Sequence, residues 1–182
     1  MNSFEIMIDE HNRIKEMLEV IKAYCLRILR GEEVDYEDFF LIIDFIRNYA
    51  DKHHHGKEEE LLFVKMINEL GAPGEKLVKY GMLVEHVLGR LFVKDLEEGV
   101  KRVLKGDEEA KLEVIANGMG YRNLLLRHIE KEDTVVYKFA ENNLSLDTLE
   151  ALQKECDIYE IEREESVHKY LKLIKELKNK VL

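Results

Sequence analysis

The chain has 182 residues, 46% of them hydrophobic, enough for one sizeable core without demanding a second, so residues 1–182 are expected to form a single domain. A charged fraction of 36%, one proline and ten glycines suit long amphipathic helices rather than sheets, which need frequent turns. The net charge of −10 excludes nucleic acid and anionic membranes as expected partners, because phosphate binding needs a basic surface.

The first helix is expected from Ser3 to Arg30, stopping at Gly31, with Phe4, Met7, His11, Ile14, Leu18, Ile21, Cys25 and Ile28 recurring at three- and four-residue steps. The second begins near Asp35, which forms a capping-like pair with Asp38, and ends at Gly71. The third starts at Pro73, a residue tolerated in a first turn, and fades at Gly106. Asp107 is the expected N-cap of the fourth, which carries Val114, Tyr121, Leu124, Leu125, Val135 and Phe139 on one face and ends near Asn142 and Asn143. Ser145 opens a charged fifth helix. Loops this short make neighbours antiparallel, so the fold class is all-α: an up-and-down four-helix bundle over residues 3–142, with helix 145–182 packed outside or across it. No apolar leader and no stretch of about eighteen apolar residues is evident, which predicts a cytoplasmic protein. Cys25 and Cys156 lack metal-type spacing and read as core fillers.

Each helical residue advances about 100°, so positions four apart differ by about 40°. His11 lies inside the apolar stripe of the first helix. On the second, Phe40, Ile43, Ala50, Glu58 and Leu61 fall within about 40° of His54, so His54 and Glu58 point inward together. His55 and Leu62 flank that face, His53 lies on the other side, and Glu59 is rotated towards solvent. His86 shares a face with Met82, Val93, Val100 and Leu104, and His128 and Glu132 are bracketed by Tyr121, Leu124, Val135 and Phe139. A lone histidine on an apolar face reads as a hydrogen-bonded core residue, but four helices each sending one inward, two with a carboxylate a turn later, read as a metal site. Burying those imidazoles and carboxylates without a cation costs several kcal/mol per unpaired charge. A ligand set of imidazoles and carboxylates without thiolates, large enough for two ions, favours iron, with manganese and tetrahedral zinc behind it.

These residues resemble the hemerythrin-like, or HHE cation-binding, family. The resemblance rests on Glu10-His11, on His54-His55-Gly56-Lys57-Glu58-Glu59 followed by Leu61-Leu62-Phe63, on Glu85-His86, and on His128-Ile129-Glu130-Lys131-Glu132-Asp133, over about residues 5 to 142. It implies two non-haem iron ions, one on His11 and His54, the other on His86 and His128, with Glu58 and Glu132 bridging. Hemerythrins proper carry a second histidine one turn away on the third helix, where this chain has Met82 and Arg90; His55 is the candidate fifth imidazole, as in family members with an adjacent histidine pair on the second helix. Tyr121 reads as a core residue, with a hydrogen-bond donor to the site as the alternative. His168 and the acidic run 160–165 read as solvated surface.

The function expected is a di-iron protein that binds or senses dioxygen, or senses iron. The alternatives are an enzyme acting on peroxide or nitric oxide at the same centre, and a helical interaction module with structural histidines. The partner is then dioxygen or another small diatomic or peroxide ligand. The sequence leaves the oligomeric state open.

Overall fold

The computed structural model describes residues 1–182. Helix α1 (Ser3–Leu29) opens with a capping box in which Asn2 and Glu5 satisfy each other's backbone amides, and it ends before Gly31, whose φ of 68° suits glycine. Helix α2 (37–70) follows and stops at Gly71, φ 61°. Helix α3 (72–104) has Pro73 in its first turn, and α4 (110–143) and α5 (Leu146–Val181) complete the chain. Ser145 caps α5 by accepting the Thr148 amide. Asp107 accepts the amide of Ala110, while Asp38 is no cap: it is buried and accepts the Tyr24 hydroxyl at 2.6 Å. No helix is long and apolar enough to cross a membrane.

Helices α1 to α4 run alternately up and down around two apolar cores stacked along the bundle axis. One contains Phe4 and Met7 of α1, Leu62, Phe63 and Met66 of α2, Val78 and Met82 of α3, and Val136, Tyr137 and Ala140 of α4. The other contains Ile14 and Leu18, Phe45 and Ala50, Val93 and Leu96, and Leu125 and Ile129. Between them, at one level, lie His11, the histidines of α2, His86 and His128. Helix α5 packs along α1 and α2, hooked by Lys178 to Glu16 (2.8 Å), Lys180 to Asp38 (2.6 Å), Tyr170 to Asp44 (3.0 Å) and Tyr159 to the Lys52 carbonyl (3.0 Å).

Four stretches near this level are wound as π-helix: Ile46–His55, Glu58–Leu62, Val78–Met82 and Glu132–Val136. The wider i→i+5 turn holds an extra residue, which moves everything downstream on the helical wheel. Uniform α-helical phasing therefore mis-assigns faces. Leu62 is fully buried where Leu61 was expected, and Val136 and Tyr137 are buried in place of Val135, which is 50% exposed. His53 is buried too, beneath α5, beside His54 and His55. Leu104 of α3 is likewise exposed, with Val103 inward.

Candidate metal centre

His11, His54, His55, Glu58, His86, His128 and Glu132 converge between the two cores, none more than 4% exposed. A carboxylate accepts the Nδ1 proton of each histidine. The Asp133 carboxylate takes that of His11 at 2.7 Å, Glu10 that of His54 at 2.8 Å, Glu59 that of His86 at 2.7 Å and Glu85 that of His128 at 2.9 Å. These four bonds form a closed circuit, in which α1 orients the histidine of α2, α2 that of α3, α3 that of α4, and α4 that of α1. His55 uses Asp51 of its own helix at 3.3 Å. Basic groups back the carboxylates: Lys57 behind Glu10, Lys15 behind Asp133, Lys131 behind Glu85, and Arg90 behind both Glu59 and Asp51.

With each Nδ1–H committed outward, every Nε2 presents a lone pair inward. His86 Nε2 lies 3.1 Å from His128 Nε2, and the His11 and His128 Nε2 atoms each lie 3.2 Å from a Glu132 oxygen. Glu58 Oε2 stands 3.8 Å from His54 Nε2 and 3.6 Å from His86 Nε2. His54 Nε2, His55 Nε2, Glu58 Oε2 and both Glu132 oxygens are buried with no hydrogen-bond partner. Converging lone pairs and orphaned carboxylate oxygens need positive charge between them.

Titration behaviour reflects the same crowding. Burial, then the charge of Glu132, pushes the Glu58 carboxyl well above the usual range, while Glu132, despite its burial, is held well below it by His128 and His11. Burial and the neighbouring His11 bring His54 down to about 4, and burial and His86 hold His55 well below the usual imidazole range. Against burial, Glu132 and Glu85 raise His128 to about 9. Without a cation the site is a set of strongly opposed charges.

The donor atoms form two groups that share one residue: His11, His54, Glu58 and Glu132, and His55, Glu58, His86 and His128, each within 4.8 Å of one another. Such groups can hold a metal cation, and the orphaned atoms above fit one. The family model for the Hemerythrin HHE cation binding domain matches residues 2–140. The chain belongs to this family. No curated protein and no solved structure matches it.

All seven expected residues of this hemerythrin-like centre lie in the two groups, whereas His168 is exposed on α5 and joins neither. Glu59, expected to turn to solvent, is instead half-buried against His86. His53 belongs to a separate buried cluster, 2.8 Å from Glu10 and 3.5 Å from Glu160. The Tyr121 hydroxyl has no partner, and another tyrosine serves the site: Tyr137 donates to Glu58 Oε1 at 2.6 Å. Sequence reasoning missed Glu10, Asp51, Glu59, Glu85 and Asp133 as orienting groups. A signal was present for four of them, each being the immediate neighbour of a converging residue: Glu10-His11, Glu58-Glu59, Glu85-His86 and Glu132-Asp133. In each dipeptide one side chain enters the centre and the other reaches the adjacent helix.

Proposed function

We propose that this hemerythrin-like chain holds two non-haem iron ions and binds dioxygen, or senses oxygen or iron, without sustained turnover. The observation that carries the proposal is the pair of donor groups sharing Glu58, too many donors for a single tetrahedral ion. In this reading His11 and His54 would hold one ion and His55, His86 and His128 the other, with the Glu58 and Glu132 carboxylates supplying the negative charge that the pair needs. Imidazoles and carboxylates without thiolate favour iron, with manganese next. When bound, the metal pair supplies electrons to a small ligand such as dioxygen, another diatomic or peroxide. The chain's own residues hold and orient: the circuit of carboxylates keeps each Nε2 inward, Tyr137 anchors Glu58, and the two cores exclude water from above and below.

Anaerobic metal analysis with visible spectroscopy tests this directly. The expected result is about two irons per chain, with new visible bands on oxidation. An anaerobic stopped-flow mix with dioxygen, followed by a steady-state assay with peroxide and a reductant, should show one stoichiometric reaction. Many turnovers per site, well above the rate of free iron, would establish an enzyme instead. A purified protein that takes up no metal refutes the reading altogether.

A further inference from the structure

Helix α5 lies beyond the residues that the family model matches, which end at 140, yet it reaches the centre through a buried ionic cluster. Glu10 holds His54 Nδ1 on one carboxylate oxygen, and its other oxygen accepts His53 Nε2 at 2.8 Å and Lys57 Nζ at 2.5 Å. The same Lys57 ammonium, fully buried, is paired with Glu160 of α5, and His53 Nε2 lies 3.5 Å from Glu160. Glu10, His53 and Glu160 come together as metal ligands would, but the Lys57 ammonium already supplies the positive charge among them, so this cluster is no further cation site.

The ionic contact matters because packing here is sparse. No residue between Tyr159 and Tyr170 is buried, and clefts open on both sides of α5, about 390 Å³ towards α2 and about 220 Å³ towards α1. The Tyr159 hydroxyl donates to the Lys52 carbonyl at 3.0 Å and stands 2.9 Å from where a Cβ on Gly56 would sit. Tyr159 and Glu160 thus both bear on residues 52–57 of α2, the segment that carries His54 and His55.

Lys57 divides its charge between two carboxylates. With Glu160 in place, Glu10 keeps its full strength as an acceptor for His54. Without Glu160 the whole ammonium charge falls on Glu10, which weakens its hold on His54 and repels a cation at the far side of that ring; buried charges are little screened. We propose that Glu160 is a positioning residue for the metal centre: acting through Lys57 and Glu10 on His54, it makes docking of α5 and binding of the ion at His54 strengthen each other. The proposal rests on the metal-binding reading above and joins to it an element outside the four-helix bundle. Coupling between two sites is reciprocal, so what α5 does for the metal the metal does for α5.

The test uses the full chain and ferrous iron under anaerobic conditions, with chelator competition for affinity and a thermal melt for every variant. Glu160→Gln should weaken one of the two ions about fivefold and leave the other as in the parent. Glu155→Gln, which removes a different α5 ion pair, to Lys65 at 2.5 Å, should change neither. Adding Lys57→Met to Glu160→Gln should restore the parent's affinity, because it removes the uncompensated ammonium; a second truncation would not restore lost packing. In the parent, which needs no substitution to fold, iron should slow amide hydrogen exchange across residues 158–170 about fivefold more than across 172–181. If iron slows both stretches equally and Glu160→Gln binds both ions as the parent does, α5 is not coupled to the centre and the metal reading stands. Affinity lost in Glu155→Gln as well, or not recovered with Lys57→Met, would mean that loosening of α5 rather than the charge of Glu160 is responsible, and the proposal is wrong. Protein that takes up no iron overturns the metal reading and this proposal with it.

Discussion

Glu10→Gln is the most informative single change, because Glu10 joins the centre to helix α5. Its carboxylate is 4% exposed and accepts His54 Nδ1 at 2.8 Å, His53 Nε2 at 2.8 Å and Lys57 Nζ at 2.5 Å. Burial opposes its ionisation, yet His53, His54 and Lys57 together hold it well below the usual carboxylate range. A glutamine can still accept from His54, but its NH2 then faces the donors of His53 and Lys57. Lys57 is fully buried, and its remaining counter-charge is Glu160, 28% exposed. Removing one partner of a buried ion pair costs about 3–5 kcal/mol; with Glu160 still in place the lower end applies, about 3 kcal/mol. For a chain of this size that corresponds to a Tm fall of about 6–12 °C. Losing the carboxylate that orients His54 should also weaken metal binding by about 10- to 100-fold. Thermal melts of the metal-free protein and a chelator competition titration measure the two effects separately. Glu10→Gln combined with Lys57→Met should recover most of the metal-free stability but not the affinity, since the methionine removes the stranded charge and leaves His54 poorly held. A single variant that melts within about 2 °C of the parent and binds metal equally well would refute the reasoning.

Three further outcomes are expected. His54→Ala and Glu58→Ala should each lose iron and a Tm that iron no longer raises, while His168→Ala matches the parent; iron retained in full by His54→Ala rules out its role as a ligand. His53→Ala should keep its iron yet lose about 1–3 kcal/mol, because Glu10 is left one donor short under α5; helical facing alone predicts no effect, and melts with iron analysis decide between the two. Metal-free protein should lose stability on acidification from about pH 6.5 to 4, since His54, depressed to about 4 when folded, binds its proton only in the unfolded chain over that window. His128 works oppositely: its contribution is intact below about 6.5 and lost as pH rises through about 9, so a melting curve flat across both windows contradicts the assignment.

Much of the architecture was legible because it depends on local rules. Gly31, Gly71 and Gly106 all adopt positive φ at the breaks where helices were expected to stop, and Ser145 caps the helix it was expected to open. The convergence of seven polar residues was legible for a similar reason: a histidine inside an apolar stripe has few places to go but the bundle interior. The orienting groups were not legible in this way. Glu10 serves His54 and Glu85 serves His128 across a helix–helix gap, and no spacing along one helix encodes a partner on another.

The sequence by itself determined the all-α bundle, its breaks, and the residue types offered to the centre, because helix periodicity, turn glycines and buried polarity are properties of short segments. Tertiary structure alone decided the winding at the centre and the docking of α5 beside it. Packing four helices around a polar level inserted π-turns at Ile46–His55, Glu58–Leu62 and Glu132–Val136, exchanging Leu61 for Leu62 and Val135 for Val136 in the core. Docking α5 buried His53 and Lys57 against Glu10 and Glu160. Such π-turns have no strong propensity signal of their own: they persist where the side chains they redirect find partners on neighbouring helices, and those partners exist only once the bundle has formed.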